Sequence, residues 1–397
     1  MGTDTLFDAR LLTISRLIRG SITSMVSPDD ILHALDSVID PELRRPITEL
    51  NMVDGVSLSD DGVVTVSILL TTAGCPLRDT ITADVTKVVS ALEGVTAVNV
   101  SMGAMNEEQR EALATKLRGG VPAKRNPFAD PQCLTRVYSI SSGKGGVGKS
   151  SVTANLAATL AQKGLKVGLV DADIYGFSIP RMMGVDTPPQ QIDDMIIPPV
   201  ANGVKVISIG MFVPDNSPVV WRGPMLHRAL EQFFADVHWG DLDVLLLDLP
   251  PGTGDIAISV AQLIPNSEVV VVTTPQAAAA EVAERSGHMA KQTDQRVVGV
   301  IENMSYLEMP DGSKNALFGS GGGEAVAAQL SSILDYEVPL LAHIPLEPQV
   351  REGGDSGEPW AIQDGESTAQ NAFREVADFL AHRARGLSGR GLGVTPL

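Results

Sequence analysis

Ser142-Gly143-Lys144-Gly145-Gly146-Val147-Gly148-Lys149-Ser150 is the stretch that decides the fold. From Gly143 to Ser150 it satisfies the pattern G-x-x-x-x-G-K-[ST], and Ser151 follows directly. A β-branched run precedes it and an Ala-rich stretch follows, which is the strand–loop–helix context the pattern needs. Glycines let the backbone curl until its N–H groups, that of Val147 included, point at phosphate oxygens. The N-terminus of the following helix adds a favourable dipole. Lys149 is placed to reach the β- and γ-phosphates of ATP, and the Ser150 hydroxyl to coordinate Mg²⁺.

Outward from this loop the chain repeats strand, loop and helix. Candidate strands are 137–141, 166–170, 204–209, 244–247, 269–273, 297–301 and 341–344. Their aliphatic character and the helical stretches between them predict an α/β fold: a mainly parallel P-loop NTPase sheet with helices on both faces. Ligands of such sheets bind beyond the carboxyl ends of the strands. Two acidic segments fall there. Asp171-Ala172-Asp173 follows one strand, and Asp248-Leu249-Pro250-Pro251-Gly252-Thr253-Gly254-Asp255 follows another. Asp248 is the candidate that holds Mg²⁺ through water, and Asp171 is a second candidate for that task. Asp173, two residues further out, is the candidate for positioning the attacking water, because a carboxylate accepts a hydrogen bond from the nucleophile.

The α/β region is expected over 134–382, preceded by a small α+β domain over 27–105. Ser27-Pro28-Asp29-Asp30 is a helix-start signal, and Ile31, Leu32, Leu35, Val38 and Ile39 recur at helical spacing. Strands are expected at 51–58 and 63–70 with a turn at Asp61-Gly62, a helix at 76–92 and a strand at 95–102. Residues 106–133 read as a connector whose first half favours helix and whose second half is broken by Gly119, Gly120, Pro122, Pro127 and Pro131. The segments 1–26 and 383–397 read as disordered extensions, and Met25 is an alternative start.

The 397 residues are 44% hydrophobic but only 4% aromatic, so the core must be aliphatic. A formal net charge of −18 argues against nucleic acid and against anionic membrane surfaces, both of which are bound by clustered Lys and Arg. The longest apolar runs are strand-length, short of the roughly 20 residues a membrane helix needs. Two cysteines, Cys75 and Cys133, exclude a disulfide scaffold and fit a reducing, cytoplasmic setting. The six histidines are scattered with no close metal-ligand pair, which reads as structural.

Lys144, the second lysine of the loop, is similar to that of the deviant P-loop class of Min-type positioning ATPases, tail-anchored-protein targeting ATPases and nitrogenase iron proteins. The resemblance implies a homodimer closed on ATP, with Lys144 reaching the partner's phosphates. Taken with Asp171 to Gly176, Trp221-Arg222-Gly223-Pro224-Met225, Asp248 to Asp255, Glu302-Asn303-Met304-Ser305 and Phe318 to Gly323, the chain resembles the Mrp/ApbC family of iron–sulfur cluster carrier ATPases. Asp40-Pro41-Glu42 and Thr71 to Pro76 resemble the MIP18-like domain often fused to that family. The family implies ATP hydrolysis, cluster transfer to apoprotein clients alongside iron–sulfur assembly proteins, and an adenine contact from Asn303 near Pro345.

One departure matters. Many members carry a Cys-x-x-Cys pair after Glu-Asn-Met-Ser, which would bridge a [4Fe–4S] cluster across the dimer. Here the stretch from Tyr306 to Gly312 has no cysteine. Cys75 remains, followed by Pro76 at an expected helix start that would favour thiolate. It reads either as a cluster ligand or as a small buried hydrophobe. Because the pair is missing, a second function stands beside the carrier: a nucleotide switch of the Min type that acts through partners and holds no cluster.

Overall fold

The computed structural model describes residues 26–71, 77–117, 126–174, 176–193, 195–212, 223–252, 254–276 and 279–383. Cys75, Tyr175, Trp221, Arg222, Thr253, the segment 1–25 and the segment 384–397 lie outside the described residues. The chain divides into two units, 1–116 and 117–397.

The first unit starts at α1 (Pro28–Leu35). Ser27 Oγ accepts from Asp30 N, and the Asp30 carboxylate accepts from Ser27 N, so two orphan donors of the first turn are satisfied by the residues that signalled it. A cap of this kind stabilises a helix by about 1 kcal/mol. Ile31 and Leu35 on its inner face are buried. Strand β1 (Val53–Leu58) pairs antiparallel with β2 (Val63–Leu70). The turn between them closes through Gly62, whose φ of 78° favours glycine. β2 alternates half-buried and buried residues, as one packed face of a sheet demands. Helix α2 (Arg78–Ser90) leads to β3 (Ala97–Ala104), which lies parallel to β2. Residues 107–117, read from sequence as part of a connector, form α3 (Glu107–Leu117). Leu113 is buried, and Lys116 Nζ donates to the Glu49 carbonyl of the same unit.

The second unit is built on an eight-stranded sheet. Its elements, in chain order, are β4 (Arg136–Ser141), α4 (Lys149–Gln162), β5 (Val167–Asp171), the short α5 (Ile179–Met182), the hairpin β6 (Gln190–Ile192) and β7 (Met195–Ile197), β8 (Val200–Ala201) and β9 (Val204–Ser208). Then follow α6 (Gly223–Ala235), β10 (Val244–Asp248), α7 (Asp255–Leu263), β11 (Glu268–Thr273), α8 (Ala279–Thr293) and β12 (Val297–Asn303). A small hairpin of β13 (Leu307–Glu308) and β14 (Lys314–Asn315), helix α9 (Gly322–Leu334), β15 (Leu340–Ile344), α10 (Pro348–Ser356) and α11 (Thr368–His382) complete it.

Strand order is β15-β12-β11-β4-β10-β5-β9-β8, parallel throughout except that β8 runs antiparallel to β9. Every residue of β5, β9, β10 and β12 is buried. Both faces are covered, which is why the sequence reads as unbroken aliphatic runs. Leu245 and Leu247 face one core with Phe234 and Trp239. Leu246 faces the other with Leu156 and Phe373. Each of the strands expected from sequence is present within a residue or two of its expected ends. β4 lies in the middle, between β11 and β10, and the chain leaves it through α4 to reach β5 two places away. The loop after β4 therefore opens at a crevice beyond the carboxyl ends of the strands.

Candidate nucleotide site

The loop between β4 and α4 is wrapped by glycines whose roles differ. Gly146 and Gly148 both have φ of 78°, and Gly148 caps α4 in that left-handed conformation. A Cβ on Gly148 would also strike the Asn303 amide. Gly143 is needed for a different reason: a Cβ there would sit 2.7 Å from the Val282 Cα of α8. The loop thus rests on its neighbours as bare backbone. It borders an open cleft of about 190 Å³ lined by Lys144, Gly145, Lys149, Ser150, Asp173 and Pro251, among others.

Beneath Lys149 and Ser150 of the lining, Asp248 ends β10 with no exposure. Its Oδ2 lies 2.7 Å from Lys149 Nζ and accepts from Ser150 Oγ at 2.6 Å. Its Oδ1 accepts from Thr153 Oγ1 at 2.7 Å. Thr153 was not among the residues singled out from sequence. It stands four residues after Lys149 on α4, hence on the same helix face, and that spacing was the available signal.

Asp171 is the register neighbour of Asp248 on the adjacent strand. Its Oδ1 accepts from Asp173 N, and its Oδ2 from Ser178 N, Ile179 N and Ser208 Oγ. Its carboxylate is thus engaged with the turn that leads into α5 and stands behind the cleft lining. Burial, and then the Asp248 carboxylate, push its pKa from 3.8 up to about 7 against the pull of those donors. A carboxyl raised in the folded state binds its proton more tightly there than in the unfolded chain. Its contribution to folding is therefore fully present below 3.8 and is lost as pH rises through about 7. A carboxyl-carbon NMR titration of the nucleotide-free protein is expected to place Asp171 near neutrality. A midpoint in the ordinary carboxylate range contradicts this.

Asp173 lines the cleft, and its Oδ1 accepts from Gly176 N at 3.2 Å. Lys144 Nζ donates to Gln276 Oε1 at 2.6 Å, a partner that sequence reasoning did not foresee. Asn303 stands apart from the cleft lining. It is 7% exposed, and its Nδ2 donates to the Val147 carbonyl at 2.9 Å, which ties the end of β12 to the loop. The structure therefore gathers Lys144, Lys149, Ser150, Ser151 and Asp173 around one cleft with Asp248 beneath them, while Asp171 and Asn303 hold the surrounding backbone.

The stretch without cysteines is closed on itself: β13 and β14 pair as Leu307 with Asn315 and Glu308 with Lys314, and Lys314 Nζ lies 4.1 Å above the Tyr306 ring. Cys133 is half-buried against the core that holds Phe234 and Trp239. Among the described residues, no helix is long and apolar enough to cross a membrane.

The sheet order, the glycine-wrapped loop and the Lys149–Asp248–Ser150 group define a P-loop nucleoside triphosphatase. Comparison with known proteins narrows the class. Residues 134–381 match the family described as NUBPL iron-transfer P-loop NTPase (ParA), and residues 28–102 match that described as iron-sulfur cluster assembly protein. The chain belongs to the iron-transfer P-loop NTPase family. The iron-sulfur cluster carrier protein of Mycobacterium bovis is 58% identical over 92% of this chain and 96% of its own length. That of Synechocystis is 40% identical over 90% of this chain and 98% of its own. The nucleotide-binding protein of Archaeoglobus fulgidus, solved in complex with ADP, is 34% identical with a TM-score of 0.50, covering 59% of this chain and 94% of that one.

Proposed function

We propose that the protein is an ATP-hydrolysing carrier of iron–sulfur clusters, acting as a homodimer that closes on nucleotide. The observation that carries the nucleotide half of this reading is Ser150 Oγ lying 2.6 Å from Asp248 Oδ2 beneath the loop. Two hard oxygen donors side by side suit Mg²⁺, which is held in such sites by one or two protein oxygens plus phosphates and water. Lys149 turns from Asp248 to the β- and γ-phosphates. Asp173 orients the attacking water, and Lys144 of the facing protomer compensates charge on the transferring group. Asp171, the register neighbour of Asp248 and held by Ser178 N, Ile179 N and Ser208 Oγ, is the second candidate for holding Mg²⁺ through water. Asn303 donates one of its two amide N–H groups to Val147 and keeps the amide oxygen to accept from the adenine amino group.

The cargo half rests on the family and on the N-terminal match. Cys75 of each protomer supplies a thiolate to a cluster, a [4Fe–4S] type being the one the family resemblance implies, and apoprotein clients and assembly proteins supply or receive it. The acidic charge fits a cytoplasmic protein that binds neither nucleic acid nor membrane.

Anaerobic reconstitution with iron and sulfide tests the reading. Stoichiometric iron and sulfide per dimer, lost with Cys75→Ser and retained with Cys133→Ser, is the expected result. No cluster in any form, with ATP hydrolysis intact, replaces the carrier by a nucleotide switch that acts through partner binding. The missing cysteine pair is the observation that favours this second reading.

A further inference from the structure

We infer that Glu302, Glu324 and His343 form a site for a divalent transition-metal ion of borderline softness, Zn²⁺ or Fe²⁺, at the edge of the sheet remote in sequence from both cysteines. The inference stands independently of the carrier reading. The three residues come from three elements: Glu302 from β12, His343 opposite it on β15, and Glu324 from the first turn of α9. One ligand atom from each lies within 4.8 Å of the others.

The roles follow from the hydrogen bonds. Glu302 has a side chain only 3% exposed. Its Oε2 accepts from Gly323 N at 2.6 Å, and its Oε1 accepts from Ser305 Oγ at 2.8 Å and faces His343 Nδ1 at 2.9 Å. A carboxylate fixed by so many donors assigns the proton to Nδ1 and leaves the Nε2 lone pair pointing outward. That lone pair meets Glu324 Oε1 at 3.3 Å. A lone pair and a carboxylate oxygen repel at this range unless positive charge lies between them. Two donors on a tetrahedral ion with bonds of about 2.0–2.1 Å are about 3.3–3.4 Å apart, which matches the spacing found. The buried Glu302 then plays the outer-shell part that fixes and polarises a ligating imidazole.

One nitrogen and one oxygen donor favour Zn²⁺ or Fe²⁺ over Mg²⁺ and Ca²⁺, which take oxygen alone. His343 and Glu324 side chains are 42% and 56% exposed, so the remaining coordination positions open to solvent and the ion is exchangeable. It would join α9 to β15 at the root of the β13–β14 hairpin.

The test uses the full chain, freed of metal by chelator and without nucleotide, carrying Cys75→Ser and Cys133→Ser. Zn²⁺ is titrated against a chromophoric chelator, and Co²⁺ is followed by its d–d absorption. One equivalent per chain with a tetrahedral Co²⁺ spectrum is expected. Binding should weaken at least about tenfold with His343→Gln or with Glu324→Gln, the latter a surface change that spares the fold. The proposal is overturned by an absence of saturable binding, or by an equivalent that neither substitution disturbs. Three side chains bridged by a proton on Nε2 would then account for the contacts.

Discussion

Lys144→Ala is expected to lower ATP hydrolysis by about 10³-fold or more while changing nucleotide affinity by less than about tenfold. The first number is the effect of removing a cation that touches the transferring phosphoryl group only as its charge develops. The second follows because backbone N–H groups and Lys149, all untouched, hold the ground-state phosphates. Lys144 Nζ donates to Gln276 Oε1 at the edge of the cleft. A neutral amide is a weak tether, so the side chain is released at little cost when a better acceptor arrives.

The same substitution decides whether Lys144 acts across a dimer. Asp173→Asn is expected to inactivate hydrolysis in its own subunit. When Lys144→Ala and Asp173→Asn chains are mixed, a mixed dimer holds one site with both defects and one with neither, provided the lysine works in trans. Random mixing should then recover about a quarter of wild-type activity, since half the dimers are mixed and each has one sound site. Action in cis predicts no recovery at any ratio. Sedimentation with a slowly hydrolysed ATP analogue confirms that both chains still associate.

The sequence showed the sheet and the cleft more fully than it showed what surrounds them. Buried parallel strands need apolar side chains on both faces, so 244–247 and 269–273 stand out as aliphatic runs whatever their neighbours. The loop is equally local: its glycines, Lys149 and Ser150 are contiguous and their chemistry is fixed by spacing. Contacts that depend on register were not visible. Glu302 meets His343 only because β12 and β15 pair in one alignment, and Glu324 joins them only because α9 starts where Glu302 receives Gly323 N. Asn303, read as an adenine contact, also donates one amide N–H to the loop carbonyl of Val147, a pairing that requires the bare backbone at Gly148. Helix α3 has a sparse apolar pattern, and its charged character hid the two buried leucines, Leu113 and Leu117, that anchor it.

Asp248→Asn is expected to abolish hydrolysis and also to destabilise the nucleotide-free protein by about 3–5 kcal/mol, which makes it the most damaging single change in the site. The reason is electrostatic. Lys149 is 6% exposed and Asp248 fully buried, with 2.7 Å between Nζ and Oδ2. Removing the negative partner leaves an ammonium buried without compensation. An asparagine also presents an N–H₂ where Ser150 or Thr153 now finds an acceptor. Lys149→Met should cost less stability, because Asp248 keeps two hydroxyl donors, although it too should remove hydrolysis. The double change Lys149→Met with Asp248→Leu replaces the ion pair by apolar groups of similar volume, and most of the lost stability should return. Urea unfolding of the four proteins measures this cycle, and hydrolysis measured alongside separates stability from chemistry. A single-change Asp248→Asn as stable as the parent would mean that Lys149 swings out to solvent once released. The lysine would then be mobile in the empty site, and the ion pair would act as a latch that nucleotide opens instead of a support of the fold.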